Sequence, residues 1–423
     1  MTKVYKIKVI RYIFLTFILI FTLYSSSDAQ VNDQKKSAGA RGDSIVVKLV
    51  TIGPGDELTS WWGHTAVIVE DKTFDVSRFY NYGLFSFEQE NFVSNFIMGR
   101  LIFWVGAWNT RDALAHYVSL NRDIRFQILD LTPDKRVEIA SLLAENIRPE
   151  NREYLYDHYL DNCATRVRDL FDKIFDGQFY QQTQLKSTMT FRQHTRRHTD
   201  RNFFIDWLLM FLMNNSIDQE IRRWDDMFLP EELERNISEF NYLDEAGVRR
   251  PLVKSTYTFF NAKGRKPLPA GVPDHWPTGL IIGITSGVLG FILATGLKKN
   301  KKFFQSGFAI YHLIIGIIYG IPGLILLFMS FFTDHIVTYH NENLLLANPF
   351  TFLLLPLGIG MLLKNTFCLK WIPTLWYFLL GLNIILLILK LFPAFDQQNM
   401  LSISLILPLN LAMVICWIRI QNK

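Results

Sequence analysis

Cysteine is scarce in this chain. Its 423 residues hold three, Cys163, Cys368 and Cys416, none close to another. That spacing excludes a disulfide framework and a cysteine-rich zinc cluster. Charge is sparse as well: charged residues make up 20% and the net charge is +5. The lysines gather beside apolar runs rather than forming a basic face on a soluble domain, so a nucleic-acid partner is not expected. No spacing of His, Asp or Glu resembles a metal-ligand set, and no cofactor is expected.

What the chain has is apolar bulk. Hydrophobic residues make up 49% and aromatic ones 14%, which rules out a disordered or acidic tail-like protein. The distribution is uneven. Long apolar runs crowd the C-terminal third, whereas the middle has the composition of a soluble domain. The pattern predicts a membrane protein carrying a soluble domain.

The N-terminus reads as an export signal over 1–30. Lys3, Lys6, Lys8 and Arg11 precede a short apolar stretch from Ile13 to about Tyr24, and small residues lead to a cut near Ala29. An uncleaved anchor is the alternative; either one exports the soluble middle of the chain. No cysteine stands at the cut, so the signal is not that of a lipoprotein.

Apolar segments near 279–297, 305–331, 346–363, 371–389 and 400–418 each approach or exceed the roughly 20 residues that cross a bilayer core. Lys298, Lys299, Lys301 and Lys302 follow the first, Lys364 and Lys370 lie between the third and fourth, and Arg419 and Lys423 end the chain. The opposite connections carry Asp334, Glu342 and Asp396, with Lys390 as the exception. The positive-inside rule makes the first set cytoplasmic, including a tail at 419–423. Five spans then place everything before 279 outside, in agreement with the signal.

Between signal and membrane, 31–44 reads as a linker, 45–245 as a folded domain and 246–278 as a second linker, Pro- and Gly-rich from 261. Ile45–Ile52, Thr65–Glu70 and 78–87 have strand character, and Leu101–Trp104 and Ile124–Leu131 look extended. Thr132 and Pro133 open one helix. A second should start near Asp161 or Asn162 and run to about Phe175. The segment 186–245 looks helical. The class is α+β.

Cys163 is the only cysteine in the exported part. A thiol there is a liability unless buried or used. In Tyr156-Asp157-His158-Tyr159-Leu160-Asp161-Asn162-Cys163-Ala164-Thr165-Arg166 it falls in the first turn of a helix. There the free N–H groups and the dipole would favour a thiolate and could bind an oxyanion. A buried structural cysteine is the alternative reading. A nucleophile needs a base, and the exported segment offers His64, His116, His158, His194, His198 and His275. His64 stands after Gly63 at the mouth of a strand, where a base can be held rigidly, although a polar core residue is the plainer reading. His194 and His198 fall in the basic stretch Arg192–Arg201, expected to be a solvated or headgroup-facing surface.

Several short blocks then share an order. Pro54-Gly55-Asp56, Ser60, Gly63-His64-Thr65-Ala66, Tyr80-Asn81-Tyr82-Gly83 with Phe87, Arg148-Pro149-Glu150-Asn151 and Asp161-Asn162-Cys163-Ala164-Thr165-Arg166 resemble the Lnb N-terminal periplasmic domain family. Phe191-Arg192-Gln193 and Met227-Phe228-Leu229-Pro230 extend the likeness, which covers about 45–245. The multi-span region is similar to the membrane domain of the same bacterial proteins.

The resemblance implies a circularly permuted papain-like thiol domain, of the NlpC/P60 and lecithin–retinol acyltransferase type, followed by an all-α five-helix membrane domain. In those folds a strand histidine precedes a helix-start cysteine, the order of His64 and Cys163. It implies Asn81 as the third polar group, with Tyr82 or Asp206 as alternatives, because the spacing from His64 is longer than in the lecithin–retinol type. It implies lipoprotein N-acyl transfer at the bacterial inner membrane, from a phospholipid acyl donor through a Cys163 thioester to a diacylated lipoprotein. Amides at 163–164 would hold the oxyanion. Trp61, Trp62, Phe103 and Trp104 would be core aromatics or an acyl-facing lip. Two rival classes stand beside this reading: a membrane-tethered cysteine peptidase acting on cell-wall peptides, and a non-catalytic scaffold for lipid or a partner. A cell-wall hydrolase needs only one anchor, and a scaffold needs neither Cys163 nor His64.

Overall fold

The structure, a computed structural model, describes residues 41–244, 246–297 and 302–421. The expected signal at 1–30, the linker up to residue 40, and Lys298, Lys299 and Lys301 lie outside the described residues. The chain divides into two compact units. The first holds the chain up to Phe85, Ile102–Leu185 and Arg223–Gly264; the second holds Ser86–Leu101, Lys186–Arg222 and the chain from Arg265 onward. The folded domain expected as one block over 45–245 thus shares its residues between the units.

The first unit is α+β. Its strands are β1 (Ile45–Ile52), β2 (His64–Asp71), β3 (Val76–Leu84), β4 (Ile102–Asn109), β5 (Ile124–Leu129), β6 (Glu153–Leu155), β7 (Asn241–Leu243), β8 (Arg249–Pro251) and β9 (Val253–Phe260). Seven form one sheet in the order β6-β4-β3-β2-β1-β5-β9, and β7 pairs with β8. Neighbouring strands run antiparallel throughout. Alternation supplies two faces. Val47, Leu49, Val67, Val69, Tyr80 and Tyr82 pack with Ile139 and Leu143 of the Pro133–Asn146 helix and Val167 and Phe171 of the Cys163–Ile174 helix. Val50, Ile52, Ala66, Ile68, Phe79 and Phe126 point the other way, onto Ala113 and Tyr117 of the Thr110–Ser119 helix.

The linker expected from 246 is corrected by β8 and β9. Val-Lys-Ser-Thr-Tyr-Thr-Phe-Phe is rich in β-branched and aromatic residues, which suit a pleated surface, and β9 covers the edge of β5 in register Ile128↔Ser255. Irregular chain begins only after Phe260.

In the second unit, four helices among the described residues are long and apolar enough to cross a bilayer: Trp276–Gly296, Lys302–Phe332, Thr366–Leu389 and Met400–Ile420. The segment expected near 346–363 is instead part of a broken pair, Ile336–Leu345 and Pro349–Leu362, bent by 62°. Asn348 explains the break. It accepts a hydrogen bond from Phe350 N at 3.0 Å and receives Thr351 Oγ1 at its own N–H (3.2 Å), a capping box that starts a fresh helix at Pro349. A glycine row permits a close approach of two of these helices: a Cβ on Gly283 would lie 2.4 Å from Ser404 O.

The basic stretch 192–201 also departs from expectation. His194, His198 and Arg192 are buried. The Arg192 guanidinium pairs with Asp218 (2.5 Å) and donates to the carbonyls of Met210, Met213 and Asn214. A guanidinium satisfied by a carboxylate and three carbonyls can leave water.

Candidate active site

Two local devices place Cys163. Asp157 Oδ1 accepts from Tyr159 N and Leu160 N, both at 2.8 Å, and Asp157 bridges to Asp161, turning the chain tightly before the helix. Asn162 then caps the helix. Its Oδ1 accepts from Ala164 N (2.8 Å) and Thr165 N (3.0 Å), and its N–H donates to Thr165 Oγ1 (2.7 Å). Its Nδ2 donates to the carbonyls of His158 and Phe228. With every polar atom of Asn162 engaged, Cys163 is the first helical residue, as the spacing predicts. The Ala164 N–H is thereby engaged by Asn162, while the amides of both Ala164 and Cys163 border the thiol.

His64 and Asn81 are set by the pleat. Ala66 stands opposite Asn81, so His64 and Asn81 lie on one face as diagonal neighbours. His64 Nε2 and Asn81 Oδ1 are 2.7 Å apart. Asn81 Nδ2 donates to Tyr117 Oη at 3.3 Å, which orients its oxygen toward the imidazole. A neutral His64 therefore carries its proton on Nε2 and keeps a lone pair on Nδ1. Tyr82, one residue on, faces the opposite side; its hydroxyl accepts from Asn146 Nδ2 at 2.8 Å. Asp206 belongs to the second unit, where it accepts from Thr199 Oγ1 at 2.5 Å. Of the three proposed third groups, Asn81 is the one bonded to His64.

Cys163 and His64 are both half-buried. Burial, then the charge of Arg122, hold the imidazole at about 3, against the raising effect of the Asn81 bond. Burial pushes the Cys163 thiol up, opposed by the Thr65 amide, by Arg122 and by the amides of Ala164 and Cys163. The thiol thus borders the amide next to His64. The depressed thiol expected from the helix start is corrected: in this site desolvation outweighs the amides, and the resting groups are a neutral thiol and a neutral imidazole.

The remaining histidines stand apart from this arrangement. His158 is boxed by the rings of Trp62, Tyr159 and Phe228. His116 is exposed at the end of its helix. His194, His198 and His275 belong to the second unit. Of the aromatics expected in a lip or a core, Trp61 and Phe103 are core: Trp61 Nε1 donates to Asp56 O at 3.0 Å, and Phe103 stacks on Tyr156 at 4.1 Å.

Three neighbours were not legible as site residues. Arg122 donates to Gly53 O at 2.8 Å, lies over the Tyr117 ring and acts electrostatically on both His64 and Cys163. Tyr117 joins the site only because its helix covers the Phe79 face. Tyr154 lies under the Arg166 guanidinium, 4.2 Å from its ring, while Arg166 also pairs with Asp161. The Tyr154 hydroxyl is buried without a hydrogen-bond partner among the described residues. The alternation Glu-Tyr-Leu-Tyr just before Cys163 is the signal that could have found it. Gly83 has φ +83°, and a Cβ there would stand 3.5 Å from that of Cys163 and 3.9 Å from Tyr154 Oη, so this turn of β3 borders the thiol.

A neutral His64 imidazole held by Asn81, with the amide of the next residue, Thr65, presented to a helix-start thiol, has the residue types of a base and nucleophile for attack on a carbonyl. No curated protein and no solved structure matches the chain. Residues 33–197, the segment carrying His64, Asn81 and Cys163, match the family model of the Lnb N-terminal periplasmic domain.

Proposed function

We propose that this protein is a lipoprotein N-acyltransferase using a Cys163 thioester. The observation that carries the reading is the Asn81–His64 bond beside a capped helix that begins at Cys163. In the proposed step, the Cys163 proton moves to His64 Nδ1 as sulfur attacks the acyl ester carbon of a phospholipid. The ester C–O bond then breaks, the lysophospholipid oxygen takes the proton from His64, and an S-acyl enzyme remains. The α-amine of a diacylglyceryl-cysteine lipoprotein attacks that thioester. Its proton passes through His64 to the departing thiolate, and an amide is formed. Aminolysis of a thioester runs downhill.

In this reading the domain is a permuted papain-like fold, and the bent pair counts as a fifth span. The chain sits in a bacterial inner membrane with the site periplasmic and the C-terminus cytoplasmic. Both substrates are lipids, which gives the spans a purpose beyond tethering.

The test is the intact mass of the detergent-purified protein after incubation with phospholipid, beside Cys163→Ala. A hydroxylamine-labile acyl adduct that requires Cys163 is expected. An unmodified protein that instead cleaves cell-wall peptides would assign the site to a membrane-tethered peptidase. An unmodified protein with neither activity would leave a scaffold.

A further inference from the structure

One helix of the second unit has no core to join. Phe92–Met98 contains no buried residue, and Val93 (67%), Phe96 (57%) and Ile97 (46%) are exposed, as is Phe87 (73%) just before it. Phe92, Val93, Phe96 and Ile97 fall at i, i+1, i+4 and i+5, a single helical face. A helix of 7 residues is marginal in water even with good formers, and this one offers water its apolar side.

Its position in the unit is nevertheless well fixed. Asp334 N donates to Met98 O at 2.9 Å, Arg100 Nε donates to Asp334 Oδ2 at 2.5 Å, and His335 Nε2 lies 3.2 Å from Phe96 O. Gly99, at φ +74°, lets the backbones approach: a Cβ there would meet His335 N at 3.1 Å. These partners occupy the loop that leaves the Lys302–Phe332 span. At that end of the span Phe331, Phe332 and Ile336 are exposed by 70%, 64% and 67%. The apolar face of the short helix and the lipid-facing end of a span therefore meet at one level, and the exposed Arg100–Asp334 pair marks the polar boundary beside them.

We propose that Phe87–Met98 is an interfacial anchor whose occupant is the bilayer itself. The Phe92–Met98 helix lies in the plane of the interface, its apolar side among acyl chains and the flanking Glu88, Glu90 and Arg100 in the headgroup layer. The proposal rests on reading Lys302–Phe332 as a span. In the chain this anchor is the connection between β3, which carries Asn81, and β4.

The experiment places a nitroxide on Phe96→Cys, with Ile97→Cys as a second site, in the full chain with its three native cysteines changed to alanine. The protein is reconstituted in nanodiscs of phosphatidylethanolamine and phosphatidylglycerol. Ile284→Cys on the Trp276–Gly296 span and Glu150→Cys in the first unit provide lipid and water references, so a failure of the membrane reading would show separately at Ile284. The expected result is a Phe96 label reached by oxygen and protected from a nickel chelate, as at Ile284. Access by the nickel chelate equal to that at Glu150 overturns the anchor. Shielding from both reagents also overturns it, in favour of a protein contact.

Discussion

Both units bury side-chain amides, and they use them differently. In the second unit each amide closes on a neighbour. Asn410 Nδ2 donates to Asn383 Oδ1 (2.7 Å), Asn383 Nδ2 to Leu345 O (2.8 Å), and Asn399 Nδ2 to Asn343 Oδ1 (3.0 Å). Gln397 Nε2 bridges Asn341 Oδ1 and Met213 O. In the first unit Asn81 is bonded equally fully, but its oxygen is spent on an imidazole whose other nitrogen keeps a lone pair. A buried amide among apolar helices holds segments together. The same group beside a histidine sets a tautomer and so prepares a base. Satisfaction alone does not separate structure from chemistry; what the partner is left able to do separates them.

The sharpest break in that comparison is Cys163→Ala. Loss of the proposed nucleophile should reduce acyl-adduct formation by at least about a thousandfold, with the melting temperature nearly unchanged because the cap belongs to Asn162. An adduct of normal yield in Cys163→Ala would falsify the thioester. Asn81→Ala should come next. It frees the His64 ring and tautomer, and the expected loss in kcat/KM is on the order of a hundredfold. A stopped-flow or mass-based rate distinguishes this from a folding defect when the thermal melt is compared in parallel.

The pH profile examines the same point without a substitution. His64 is held at about 3 by burial and Arg122, so its base form persists well below neutrality. Protonation would abolish activity only on the acid side of that value. Folded protein should therefore show no acid limb in kcat/KM near the ordinary histidine value of roughly 6.5. A limb between pH 6 and 7 would mean that His64 is solvated or charged in the working enzyme.

How much of the molecule is legible in the sequence depends on the range of each cause. Cys163 as the first helical residue and β1 over Ile45–Ile52 are local: a cap and an alternating pattern fix them, and both agree with the structure. The His64–Asn81 pairing is suggested by resemblance. Its geometric reason is the β2–β3 register, which the 17-residue spacing does not reveal. The thiol differs from expectation because the helix-start argument counts amides, whereas burial depends on residues far away in sequence. The buried Arg192 is hidden for the same reason, since its carboxylate partner Asp218 is 26 residues on. β9 is absorbed into a linker because the proline- and glycine-rich stretch after Phe260 dominates the composition of that window.

In the second unit the complementary prediction is Asn383→Leu. It leaves Asn410 Nδ2 without its acceptor, and the expected cost is about 0.6–1.7 kcal/mol of stability, the range seen for polar contacts between membrane helices. Activity per folded molecule should not change. A lower rate per folded molecule would mean that amides in this unit also serve the chemistry, and the contrast between the units would fail.

The smallest effect should come from Tyr117→Phe. Its hydroxyl accepts the Asn81 amide at 3.3 Å, a long bond and a weak one. The ring also covers Phe79 and faces His64 at 5.9 Å, and the substitution keeps those contacts. Removing the hydroxyl leaves Asn81 Nδ2 buried with one partner fewer, a cost of about 1–3 kcal/mol at most. Part of that falls on stability rather than on rate, because Asn81 Oδ1 still has His64 as its donor. The expected outcome is a loss of less than about tenfold in kcat/KM with a measurable drop in melting temperature. If Tyr117→Phe were as damaging as Asn81→Ala, the orientation of the imidazole would depend on the whole chain from tyrosine to asparagine to histidine.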